Sequence, residues 1–146
     1  MATRYGWHIV RESRKLQYGD GRSARVGVRM RYRNTTSYSL MRPRLCSTGM
    51  HAAVNINSAM QFLENDSDYL CRVRVSGTGW HERVSTQPQE SYVRKFCGTH
   101  RTVLGMVPVR ELIEELGDDW NTWEPGRVME VMRRRNRRNG TRVEVR

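Results

Sequence analysis

Several short stretches of this chain alternate between apolar and polar residues with a period of two, which puts each set on one face of a strand. Tyr5–Arg11 (YGWHIVR) reads as an opening strand, closed by a polar turn around Tyr18-Gly19-Asp20-Gly21. Arg25–Arg33 alternates most cleanly. Val26, Val28, Met30 and Tyr32 share one face, and Arg25, Gly27, Arg29, Arg31 and Arg33 share the other. Tyr69–Val75 repeats the pattern, with Cys71, Val73 and Val75 inward and Arg72 and Arg74 outward, and Gly77-Thr78-Gly79 ends it. His100–Val107 (HRTVLGMV) is apolar enough for a buried strand.

Helical spacing appears in three places. In Ala53–Glu64, Val54, Ile56, Ala59, Met60 and Leu63 share a face, with Asn55 or Asn57 as the N-cap. Pro108–Gly117 carries a proline in its first turn and a glycine at its stop. Gly126–Asn136 turns Val128, Val131 and Met132 to the core before running into RRRNRRNG. Residues 34–44 read as a polar loop, 80–98 as a loop with a short strand, 118–125 as an acidic-aromatic loop, and Thr141–Arg146 as a final strand. The order predicts an α+β fold: a small, curved, mostly antiparallel sheet of five or six strands with two or three helices packed on it. A chain of 146 residues is expected to form a single domain over 1–146, with a basic C-terminal helix and tail over 127–146.

Charge adds what patterning does not. Of 26 basic residues, 24 are arginine. Residues 1–44 carry a net +9 and residues 127–146 a net +6, while 45–126 carry −4. Biased codon usage accounts for the ratio of arginine to lysine but not for basic ends around an acidic centre. Three sets stand out: Arg29, Arg31 and Arg33 on one strand face, Arg42 and Arg44 in the following loop, and Arg133–Arg138 at the end of the last helix. Arg134 and Arg138 share a helix face, as do Arg133 and Arg137. Solvated arginine with local partners such as Glu130 and Glu144 is the bland account of any one row. Three rows with few acids nearby favour binding of a polyanion, because guanidinium presents a planar fork suited to phosphate. With Arg72 and Arg74 these make the candidate nucleic-acid contacts. Tyr5, Trp7, Tyr18, Tyr32 and Tyr38 are aromatics that could stack on bases or fill the core.

Other chemistries carry less. Cys97-Gly-Thr-His100 with Cys46 and His51 offers an incomplete zinc spacing, and cytosolic cysteines are more often small buried hydrophobes. Three cysteines are no disulfide framework and fit a reducing compartment. Cys46 or Cys97 with His51 or His100 could make a nucleophile and base only if a third group orients them. No Walker loop, G-x-S-x-G elbow or G-x-G-x-x-G is present, so Gly19-Asp20-Gly21 and Gly77-Thr78-Gly79 read as turns. The acidic cluster of Glu114, Glu115, Asp118, Asp119 and Glu124 reads as solvated helix ends that could also self-dock on an arginine tract. No apolar run is long enough to cross a bilayer, and the first fifteen residues lack the apolar core of a signal peptide. Neither a cofactor nor a metal nor a membrane is expected.

The segments LCSTGMHA, SAMQFL, LCRVRVSG and KFCGTHRTVL, between Leu45 and Leu104, resemble a family of small tailed-bacteriophage proteins. Trp7, Cys46, Gly49, His51, Ala52, Cys71, Arg72, Val73, Val75, Gly77, Lys95, Arg101 and Leu104 sit at matching places. The likeness covers under half the chain, excludes Arg25–Arg44 and the basic C-terminus, and brings no assigned activity with it. It implies a phage accessory protein acting in the host cytoplasm. Its expected partners are nucleic acid, a host nucleoprotein complex of the transcription, translation or nucleic-acid-guided defence machinery, or an acidic host protein. The order of strand, Gly-x-His turn, helix and strand is also loosely similar to ADP-ribosyltransferase-like folds. That likeness would give His51 a role in holding NAD, with Glu111 or Glu114 as a guessed late glutamate. The sequence favours a binding protein over this enzyme, and a tight turn at Gly49-Met50-His51-Ala52 whose histidine caps or packs on the following helix.

Overall fold

A computed structural model of the chain describes residues 3–14, 23–31, 50–77, 83–84 and 94–138. The expectations for the loop at 34–44, for Arg33, Arg42 and Arg44, for Tyr18, Tyr32, Tyr38 and Cys46, and for the strand at 141–146 lie outside these residues. Among the described residues seven strands, β1 (Thr3–Val10), β2 (Arg29–Arg31), β3 (Met50–Ala53), β4 (Tyr69–Ser76), β5 (Arg83–Val84), β6 (Arg94–Gly98) and β7 (His100–Pro108), form one sheet. Its order is β2-β7-β4-β1-β3-β6-β5, and every strand pairing is antiparallel. Helices α1 (Ile56–Met60), α2 (Val109–Leu116) and α3 (Pro125–Arg138) complete the α+β fold that the alternation predicts.

The sheet curls until distant strands touch. Arg101 of β7 donates from Nη1 to the main-chain oxygen of His51 on β3, three strands away in the sheet order, at 2.7 Å. Gly98 of β6 sits so close to β4 that an added Cβ would lie 2.7 Å from the Ser76 carbonyl oxygen and from Val75 Cγ1. Only glycine fits that contact. The concave side holds Val10, Ala24, Ala52, Cys71, Val73, Val75, Phe96 and Val103. The convex side carries the helices over a second cluster that includes Trp7, Ile9, Leu70, Val107, Leu112, Val128 and Met132. Two apolar layers on one curled sheet explain why Cys71, Val73 and Val75 face inward as expected, and why Leu70 on the opposite face of the same strand is equally buried.

Local rules account for the helix ends. Asn55 accepts from the Ser58 amide at 2.8 Å and is the N-cap of α1, which is only five residues long and not the twelve that its apolar spacing predicts. The chain leaves α1 through turns at Gln61 and Phe62, then wraps the buried Asp68 carboxylate. Asp68 accepts from the amides of Glu64 (3.1 Å) and Asn65 (3.3 Å) and from Arg11 Nη1 at 2.8 Å. Burial pushes the Asp68 pKa up, but these donors outweigh it and hold the carboxyl below its ordinary value. α2 starts after Pro108 and stops at Gly117 as expected, and Trp123 Nε1 donates to the Gly117 carbonyl at 2.9 Å. Val128, Val131 and Met132 of α3 are buried, also as expected.

Two further expectations fail in the sheet. Arg25–Arg33 is not one continuous strand. Gly27 adopts φ 84°, its amide donates to the Val103 carbonyl at 2.8 Å, and Val28 turns out to solvent with 45% exposure. A side chain at that φ would be strained, so the turn at Gly27 overrides the alternation, and among the described residues 25–31 only Arg29–Arg31 pair as β2. The second is the turn expected at Gly49–Ala52. Met50–Ala53 instead forms β3, paired with β6 in the register His51↔Cys97 and Ala52↔Phe96. The small Ala52 and Ala53 lie under Phe96 and the helix layer, which a tight turn would leave uncovered.

Candidate nucleic-acid interface

The pairing registers lay residues of four strands out as a grid on the convex face, beyond the end that the helices cover. In one row stand Arg31 (β2), His100 (β7), Ser76 (β4) and Thr3 (β1). The next row holds Arg29, Thr102, Arg74 and Tyr5, and the third holds Gly105, Arg72 and Trp7. Neighbours across strands are about 5 Å apart and successive rows about 7 Å apart, so long side chains from adjacent positions share one surface.

A bulge makes this alignment. Between Arg72↔Gly105 and Val73↔Val103 the register steps past Leu104. One extra residue reverses the facing of everything beyond it. His100 and Thr102 thereby join the arginines, while Arg101 and Val103 turn into the concave core, where Arg101 keeps only 5% of its surface exposed. The apolar run His100–Val107 gives no hint of this reversal. His100 and Thr102 are accordingly candidate-site residues that sequence reasoning misses, and no local signal marks them, whereas Ser76 and Thr3 continue the alternation of β4 and β1 onto the same face.

Arg29 and Arg31 are exposed and Arg74 is half-buried. Among the described residues no carboxylate pairs with any of the three. Arg72 differs. Its guanidinium lies over the Trp7 ring at 4.6 Å and the Tyr5 ring at 5.7 Å, and partial burial lowers its pKa. Trp7 is a core residue, 2% exposed, while Tyr5 is half-buried at the rim of the grid. His100 sits amid these cations. Burial first, then the charges of Arg29 and Arg31, hold its pKa below the ordinary histidine value. Thr99 Oγ1 lies 2.8 Å from its Nδ1. Thr3, Arg29, Arg74 and Ser76 line an open depression of about 280 Å³ on this face.

The helical arginine row has another fate. The acids of α2 dock on α3. Arg135 donates to Glu111 Oε1 at 2.8 Å and to Glu115 Oε2 at 3.1 Å, and Arg134 Nη2 pairs with Glu115 Oε1. The hydrogen bond to Glu115 is the main cause that raises the Arg135 pKa. Partial burial pushes Glu115 up, but the bonds from Arg135 and Arg134 prevail and hold its carboxyl below the ordinary value. Arg133 and Arg137 are exposed on the same helix. The expectation of a row with few acids nearby is therefore corrected at Arg134. Its partner is Glu115 of α2, nineteen residues upstream, and not Glu130; Glu144 lies outside the described residues. For Arg138 only the main chain is described.

The catalytic and metal readings gain nothing here. Cys71 is fully buried and burial pushes its thiol up to about 12, so it is no thiolate at neutral pH. Cys97 is buried as well. Among the described residues no three of His, Cys, Asp and Glu gather as a metal set. His51 lies on a strand rather than a turn, and Glu111, one of the two guessed NAD-site carboxylates, is engaged by Arg135. No described helix is long and apolar enough to cross a membrane. Comparison with family models, with curated proteins and with solved structures gives no match.

Proposed function

We propose that this protein binds nucleic acid through the convex face of β2, β7, β4 and β1. One observation carries the reading: Arg29, Arg31 and Arg74 converge on one surface with no carboxylate partner among the described residues. Exposed guanidinium groups that lack internal partners repel one another and gain most from an external polyanion. Tyr5 at the rim adds a ring on which an unpaired base could stack, which favours single strands over a duplex. In the phage setting that the sequence resemblance implies, the protein would act without catalysis. It would occupy a host nucleoprotein complex by gripping its nucleic acid.

The test is fluorescence anisotropy with a single-stranded oligonucleotide of mixed sequence across a salt series. Binding that weakens with salt at a slope of about −0.7 per phosphate contact, for at least three contacts, supports the reading. An affinity indifferent to salt, or no binding at all, sinks it. Capture of an acidic host protein that excess oligonucleotide fails to displace would point to a protein partner on this face instead.

A further inference from the structure

We infer that the depression bounded by Thr3, Arg29, Arg74 and Ser76 is a subsite for the terminal phosphate monoester of a nucleic-acid strand. This rests on the nucleic-acid reading above and adds what the face selects. All four lining residues carry polar groups: two guanidinium groups from β2 and β4 and two hydroxyls from β1 and β4. No ring lines it, so it is a site for charge and not for a base. At about 280 Å³ it admits a phosphate with part of its sugar.

Charge decides between an internal diester and a terminal monoester. A diester carries one negative charge, whereas a monoester carries about −1.5 to −2 at pH 7 and offers three acceptor oxygens. Two arginines without described carboxylate partners match the dianion and leave a diester under-neutralised. The hydroxyls of Thr3 and Ser76 supply donors for the third oxygen. Position agrees with charge. Thr3 opens β1 and Ser76 closes β4, so the depression spans the last two described rows of the grid. Thr102 of β7 stands between the two arginines in the register.

The experiment uses the full chain at pH 8, where a monoester is dianionic. Three oligonucleotides of one sequence, with an internal fluorophore, end in hydroxyls only, in a 5′-phosphate, or in a 3′-phosphate. One phosphorylated form should bind roughly tenfold more tightly than the hydroxyl form, the worth of one charged hydrogen-bond set. The preference ratio should fall to about one in Arg29→Gln and in Arg74→Lys, and by part in Thr3→Ala, whose small exposed change leaves the fold intact. Equal binding of all three oligonucleotides overturns the subsite while leaving the broader reading in place. A preference that survives both arginine changes overturns it as well. Failure of every oligonucleotide to bind removes both.

Discussion

Two arginine clusters, one on a helix and one on the sheet, meet opposite electrostatic fates. On α3, Arg134 and Arg135 lie across from Glu111 and Glu115, one and two turns along the facing α2. On the sheet, Arg29, Arg31 and Arg74 face outward in a patch to which no described acid is directed. The difference comes from topology. Helix packing juxtaposes two exposed rims whose charges were written with opposite sign. Strand pairing instead aligns side chains by register, and here each strand brings arginine, hydroxyl or imidazole to the same side. A run of arginines therefore signals an external ligand only after the facing element is known.

The strongest way to break this comparison is to delete each cluster. Arg29→Ala, Arg31→Ala and Arg74→Ala together should weaken oligonucleotide binding on the order of 100-fold at low salt. The salt slope should flatten by roughly two, from three lost contacts of about 0.7 each. Arg134→Ala with Arg137→Ala should cost only about threefold, because one of the two is already neutralised. Anisotropy titrations decide it, and equal losses from both sets would erase the distinction.

Acidity sharpens the contrast next, since the sheet cluster contains a histidine and the described part of α3 does not. Free His100 has a lowered pKa, so it is neutral at pH 7. A bound phosphate would stabilise its protonated form and raise that pKa. Binding should then take up a proton in the window between the lowered free value and the higher bound one. Affinity for a hydroxyl-ended strand should rise as pH falls through that window, by at most about tenfold per unit for one proton. His100→Asn should abolish the rise. Fold stability moves the other way. Burial, then Arg101, His51 and Arg11, hold His8 well below its ordinary pKa. The unfolded chain therefore binds the extra proton first, and stability falls as pH drops below about 6.5. Melting curves at matched pH separate the two effects.

A smaller change tests the clamp on the helix. Glu111→Gln with Glu115→Gln releases Arg134 and Arg135, and should raise nucleic-acid affinity roughly threefold. That is the worth of two solvent-screened charges at about 10 Å. The same variant should melt earlier than the parent. An affinity unchanged within error would mean that α3 stands clear of the bound strand.

Much of the fold was legible because single residues announced it. Asn55 as a cap, Gly117 as a stop, Val128 and Met132 on one helix face, and the alternation of Cys71, Val73 and Val75 all act within a few residues of themselves. The misreadings came where distant partners decide. β3 is a strand because β6 covers it, and β2 is short because Gly27 binds the Val103 carbonyl. Of the candidate site, the outward arginines of β2 and β4 could be read from alternation. Their union with His100 and Thr102 could not. It depends on one bulge at Leu104, which exists only in the pairing of β7 with β4. The α2 clamp was half visible, as an acidic cluster able to dock on an arginine tract, but nothing local said which tract.

Arg72 lies between the two extremes and gives the finest test. It belongs to the sheet face by register, yet its guanidinium is held over Trp7 and Tyr5 and not presented freely. A cation over an indole contributes about 0.5–2 kcal/mol, and that energy is already realised in the unliganded protein. Arg72→Ala should therefore lower the melting temperature and shift tryptophan emission as the ring is uncovered, while oligonucleotide affinity falls less than about threefold. Arg72→Lys should restore part of the stability, because an ammonium still sits over a ring but without guanidinium stacking. If Arg72→Ala instead matched Arg74→Ala in lost affinity and left stability untouched, the ring contact would be incidental. Arg72 would then join the free cluster, and the boundary between packed and available arginine would move one row toward the helices.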